Sequence, residues 1–72
     1  MKVNSALEIS ERLVSWRMLD DASDVLLRCL DAHPFHPKLL HRLGRIRLAQ
    51  GRPKEAAPLL EQALAHHRLM ES

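Results

Sequence analysis

Slid along itself until Ala22 falls on Ala56, the sequence superposes on itself in character. Leu26 then falls on Leu60 and Leu30 on Leu64, while Ile9 meets Leu43, Ser10 meets Gly44, Val25 meets Leu59 and Cys29 meets Ala63. Few residues are identical, but small side chains meet small ones and large apolar side chains meet large apolar ones. A period of about 34 residues with two helices in each period marks a stacked helix-turn-helix array, in which each unit buries its apolar faces on its neighbours. The 72 residues therefore predict one all-α domain with a thin core, built from two tandem units at about residues 3–36 and 37–70.

Four helical patterns fill those units, and no stretch alternates long enough to read as a half-buried strand. Ser5-Ala6-Leu7-Glu8 has the form of a capping box and predicts that the first helix starts at Ser5. Ala6, Ile9, Leu13 and Trp16 recur every three or four residues and are expected to form its core stripe. The carboxylates of Asp20 and Asp21 suit the positive end of a second helix, which carries Val25, Leu26, Cys29 and Leu30. It ends before His33-Pro34-Phe35-His36-Pro37, because each proline disfavours helix at the residue before it. Pro37 fits the first position of a third helix through Leu40, Leu43 and Ile46, which Gly51 closes in the left-handed conformation. The fourth opens near Arg52-Pro53-Lys54 and runs through Ala56, Leu60, Ala63 and Leu64, with a slight bend expected at Pro58. Short connectors make neighbouring helices antiparallel.

At this point the sequence resembles the tetratricopeptide repeat family. The second unit carries the resemblance best, with Leu40, Leu43, Gly44, Gly51, Ala56, Leu60 and Ala63 at the signature positions. The first unit matches through Ala6, Ile9, Leu13, Ala22, Leu26, Cys29 and Pro34, and departs at Ser10 and Arg17, where glycines are expected. In the second unit Arg47 stands at a site the family fills with tyrosine, and Arg68 at a proline site. The resemblance implies a helical repeat fragment that binds proteins: a small adaptor, co-chaperone or assembly factor. In the family the first helix of each unit lines a concave groove, near which Lys38, His41, Arg42 and Arg45 would project. Leu7 and Glu11 stand where the family's carboxylate clamp would begin, so that clamp is not carried over.

Charge points the same way. Residues 1–36 carry four basic and six acidic side chains, a balance of −2, whereas residues 37–72 carry seven basic and three acidic, a balance of +4. No acidic residue lies between Ala32 and Lys54. A basic groove favours an acidic peptide, since an arginine binds a carboxylate through two hydrogen bonds. A head-to-tail contact between the acidic and basic halves is a further option.

Apolar residues outside the expected stripes add a second type of candidate surface. Leu7, Val14 and Met18 lie beside the stripe of the first helix, and Leu27 sits where its partner in the second unit is Glu61. Leu64 and Ala63, with either Leu60 or Leu59 and with His67 beside them, are expected to line the face that would receive a third unit, and only Glu71-Ser72 follow. Burying a leucine is worth about 1.5–3 kcal/mol, a large share of a small domain's stability. A second copy or a different protein is therefore expected to cover this face, with a homodimer as the first structural expectation.

Other functions find less support. The stretch Arg42-Leu43-Gly44-Arg45-Ile46-Arg47 offers phosphates a cation cluster, making a small nucleic-acid-binding regulator the alternative reading. It lacks a recognition-helix signature, and two aromatics, Trp16 and Phe35, make no stacking platform. Five histidines (33, 36, 41, 66 and 67) have no acidic or thiol partner at ligand spacing, so neither metal nor cofactor is expected. The single cysteine, Cys29, excludes an internal disulfide and is expected as buried packing, as is Trp16. No nucleophile, base and orienting group form a set, so catalysis is not expected. Apolar runs are too short to span a membrane, and the opening residues lack a signal-peptide core, so the expected address is the cytoplasm.

Overall fold

Two backbone positions with positive φ organise the chain: Arg17 at 63° and Gly51 at 77°. Each closes a helix in the same hydrogen-bonded loop. The Met18 N–H donates to the Leu13 carbonyl at 2.8 Å and the Arg17 N–H to that of Val14 at 2.9 Å. The Arg52 N–H donates to the Arg47 carbonyl at 2.8 Å and the Gly51 N–H to that of Leu48 at 3.0 Å. Both are Schellman motifs, which satisfy the last carbonyls of a helix by turning one residue left-handed.

The computed structural model describes residues 2–71, and these form four helices with no strand among them. They are α1 (Val3–Ser15), α2 (Leu19–Ala32), α3 (Pro37–Ala49) and α4 (Pro53–Glu71). α1 and α3 are each 13 residues long. The interval from the start of α1 at Val3 to that of α3 at Pro37 equals the interval from Leu19 of α2 to Pro53 of α4. α1 packs on α2, α2 on α3 and α3 on α4, with a slighter contact between α1 and α3. The α3–α4 interface is the most extensive, and among the described residues α4 packs against no other helix. Such packing across a three-residue turn requires α3 and α4 to run antiparallel. The molecule measures 36 × 27 × 18 Å, about two helix diameters in its thinnest direction.

The core combines Ala6 from α1, Ala22, Leu26 and Cys29 from α2, and Leu39, Leu43 and Ile46 from α3. Leu40 and Gly44 of α3 and Ala56 and Ala63 of α4 are buried where the last two helices meet. The contact is very close at Gly44. A Cβ there would stand 2.7 Å from Leu60 Cδ2 and 2.8 Å from its Cγ, distances no side chain tolerates without movement. At the corresponding point of α1, Ser10 is fully buried and donates its hydroxyl to the Leu7 carbonyl at 2.9 Å, so the polar group is satisfied within its own helix.

Several sequence expectations are corrected. α1 begins at Val3, two residues before Ser5, and no side chain caps it. The Ala6 N–H closes the first turn on the Lys2 carbonyl at 3.0 Å, and Val3 packs against the core, so burial draws the extra residues into the helix. The buried face of α1 runs through Val3, Ala6, Leu7, Ser10, Leu13 and Val14, rotated by roughly 80° from the expected stripe at 100° per residue. Ile9 is consequently 42% exposed and Trp16 66% exposed, so the tryptophan is not core packing. Pro58, by contrast, lies inside α4 without breaking it, as the sequence leads one to expect.

Arg17 and Gly51 close their helices in the same conformation but differ in cost. A side chain in the left-handed region is disfavoured by about 1–2 kcal/mol, an advantage for glycine partly cancelled by its looser unfolded chain. Arg17→Gly is therefore expected to stabilise the fold by about 0.5–1 kcal/mol, and Gly51→Ala to destabilise it by about 1 kcal/mol. Urea unfolding monitored by circular dichroism measures both. Gly44→Ala sets a helix-propensity gain of about 1 kcal/mol against overpacking of about 1–3 kcal/mol. Because the clash includes the Leu60 branch carbon, net destabilisation is expected, and a Leu60→Ala background should cancel most of it in a double-mutant cycle.

Candidate functional site

α3 has a groove on each side, and the four basic-groove candidates divide between them. Lys38 and His41 face α4, where they meet Leu60, Ala63, Leu64 and His67 in a groove of ≈ 470 Å³ that begins at Pro37. Arg42 and Arg45 face α1, where Glu11, Val14, Ile46 and Ala49 complete a groove of ≈ 340 Å³. All four lie within about 100° of the circumference of α3, with Lys38 only about 20° from Arg45, so the division follows from position along the helix: Lys38 and His41 lie nearer its start and border α4, whereas Arg42 and Arg45 lie further on and border α1. The α1/α3 groove includes a carboxylate, whereas among the described residues no acidic side chain lines the α3/α4 groove.

The apolar candidates also separate. Leu7 and Val14 are half-buried and pack against the core, with Val14 additionally edging the α1/α3 groove. Met18 and Leu27 are 42% and 40% exposed. Leu27 lies in a shallow mixed-charge patch with Asp20, Asp24, Arg47 and Arg52. Leu60 is half-buried over Gly44, and Leu64, one helical turn further, is 53% exposed in the α3/α4 groove. Only Leu60 and Leu64 of these six share a groove with basic candidates other than arginine.

Sequence reasoning missed Pro37 as a groove wall, and Glu11 and Ala49 as parts of the α1/α3 groove. The shift that lays Ala56 on Ala22 also lays Pro37 on Val3, an apolar position, and so contained the signal for the first. The other two depend on the angle between α1 and α3, which pattern alone does not set.

The arginine-rich stretch is not a uniform cation surface. Arg47 Nη1 donates to Gln50 Oε1 at 2.9 Å, and Gln50 Nε2 donates to Asp20 Oδ1 at 2.7 Å, so this guanidinium belongs to a chain of bonds joining the end of α3 to the start of α2. Arg52 is paired with Glu55 at 3.5 Å on the surface, where such a pair contributes little. Among the described residues, no group of three or more His, Cys, Asp or Glu could hold a metal ion, and no helix is long and apolar enough to cross a membrane. Cys29 is fully buried, inaccessible to reagents from solvent.

The loop before α3 holds the titratable group most affected by the fold. His36 Nδ1 is buried without a hydrogen-bond partner. Burial pushes the His36 pKa below its ordinary value, and the nearby His33 and Lys38 push it the same way. Phe35 in the same loop packs its ring on His66 of α4 with centroids 5.0 Å apart. Scanning protein-family models gives no match, and searches of curated proteins and of solved structures return none either.

A histidine with a lowered folded pKa binds fewer protons folded than unfolded near pH 6.5, so its contribution to stability is complete above that pH and is lost as pH falls below it. The urea midpoint is expected to fall between about pH 7.5 and 5.5. His36→Gln should flatten this dependence, and identical pH profiles for the two proteins would show that His36 carries none of it.

Proposed function

We propose that the chain is a pair of tetratricopeptide-like units that acts as a non-catalytic protein-binding module: a small adaptor, co-chaperone or assembly factor. Support for paired units comes from equal intervals between alternate helix starts, from matching Schellman turns at Arg17 and Gly51, and from packing that joins each helix mainly to its neighbours. The observation that carries the function is the open outer face of α4. Leu64 is 53% exposed beside Leu60 and Ala63, on a helix packed against α3 alone. An apolar groove with a basic rim is a surface for a protein partner. Burial of the apolar floor supplies affinity, and the charged rim selects partner and orientation.

Two grooves serve this role. The α1/α3 groove, with Arg42 and Arg45, suits carboxylates of an acidic peptide; the α3/α4 groove adds Lys38 and His41 to an apolar floor. Nucleic-acid binding through the second half draws less support, because Arg47 is engaged by Gln50 and Arg52 by Glu55.

The test is retention of a protein partner from native cells by the wild type and by two variants, Leu64→Glu and Arg42→Glu/Arg45→Glu, each confirmed folded by circular dichroism. A nuclease-resistant partner held by the wild type and lost from at least one variant is the expected result. Random duplex or single-stranded nucleic acid should show no binding at about 0.15 M salt. Tight binding with a steep salt dependence there, of the kind phosphate contacts produce, would replace this function with the nucleic-acid one.

A further inference from the structure

The α3/α4 groove has an internal counterpart that is already filled. Shifted back by one repeat, Pro37, Leu60, Ala63 and Leu64 become Val3, Leu26, Cys29 and Leu30. All four of these belong to the core cluster or pack against it, together with Leu39, Leu43 and Ile46 of α3. The first slot therefore holds a helix that inserts aliphatic side chains at positions i, i+4 and i+7, one face of a helix. The second slot has the same kind of floor and no helix in it.

The rims differ. Asn4 and Leu7 stand in the first unit at the positions where the open slot has Lys38 and His41, and among the described residues no carboxylate lines the open slot. We infer that the groove between α3 and α4 is the docking slot for an amphipathic helix of a different protein, one with aliphatic residues at i, i+4 and i+7 and acidic residues along its flanks. This rests on the protein-binding function proposed above and names the partner chemistry of one of its two grooves.

A second copy of the chain fits less well. The helix corresponding to α3 is α1, which presents Ser5, Ile9 and Arg12 where α3 presents Leu39, Leu43 and Ile46. A self-docked α1 would set a hydroxyl and a guanidinium against the apolar floor, and burying either without a partner is costly. Joining two α3/α4 grooves face to face would bring Lys38 of both copies into one interface with no carboxylate among the described lining residues to balance them, a charge arrangement that specific interfaces avoid.

The test uses the full 72-residue chain and three fluorescent peptides of about 16 residues, long enough for a stable turn-by-turn contact. One has Leu, Leu and Ile at i, i+4 and i+7 with glutamates beside them; a second replaces the glutamates with lysines; a third replaces the aliphatic residues with serines. Anisotropy is expected to show binding of the first and at least roughly tenfold weaker binding of the other two. Leu64→Glu, at an exposed position, should weaken the first peptide by a similar factor while melting temperature stays unchanged. Lys38→Glu/His41→Glu should reverse the preference between glutamate and lysine flanks. Amide shifts induced by the first peptide should centre on residues 38–41 and 60–67.

Failure of the glutamate-flanked peptide to bind overturns the inference. So does binding whose shifts centre on Arg42, Arg45 and Val14, although that result leaves the protein-binding function standing. Sedimentation showing a wild-type dimer abolished by Leu64→Glu would seat a second copy in the slot and overturn it equally.

Discussion

The architecture depends on α3 being apolar on two sides. Leu39, Leu43 and Ile46 enter the core made with α1 and α2, while Leu40 and Gly44 are buried towards α4. α3 is the one helix packed against all three others, so it joins two helical hairpins that neither buries its own face nor touches broadly except through it. Gly44 makes this possible on the α4 side, since a single added carbon would strike Leu60. A helix buried on two sides leaves less of its circumference for solvent, and what remains carries Lys38, His41, Arg42 and Arg45. Those cations border the two grooves because α3 has nowhere else to put polar side chains.

Most of the helical framework was legible because its signals are local. Pro37 at a helix start, Gly51 beyond a helix end and carboxylates at Asp20 and Asp21 act within one turn of chain, and α2, α3 and the start of α4 follow them closely. The face of α1 was not legible, because that helix has apolar residues around much of its circumference. Ile9 and Trp16 compete with Val3, Leu7 and Val14 for the core, and the outcome is decided by which set α2 and α3 accommodate. Arg17 shows the opposite case. Nothing in an arginine calls for positive φ, yet its place in the turn imposes it, as tertiary context overrides a local preference. The candidate site was legible as a list of residues on α3 but not as two separate grooves. The division rests on helix-to-helix angles, to which a one-dimensional pattern is blind.

The two ends of α4's apolar face have different fates. Ala56 and Ala63 are covered by α3, and Leu59 reaches the core, but Leu64 remains half in water. At about 25 cal/mol for each Å² removed from solvent, covering what is left of one leucine yields on the order of 1 kcal/mol. That is modest for one residue. A helix that also covers part of Leu60 and the Pro37 wall multiplies it, and the pre-formed groove spares the cost of reorganising the chain.

The contrast between the filled and open slots follows from how each occupant arrives. α3 is tethered to α2 by the short loop from His33 to His36, which holds it beside its slot at high effective concentration, so an apolar floor suffices to seat it. Asn4 and Leu7 at that rim carry no charge and need none. On the inference drawn above, an occupant supplied by a different protein lacks such a tether and finds the groove by diffusion among many competing apolar helices. Charge is the property that distinguishes such helices at a distance and raises the rate of productive encounter. Lys38 and His41 replace neutral residues at the rim where selection is required, while Leu60, Ala63 and Leu64 preserve the apolar character of the floor where only burial is required. On the docking reading proposed above, one helical hairpin design serves two tasks, and the difference between folding and recognition is confined to the residues that border the slot.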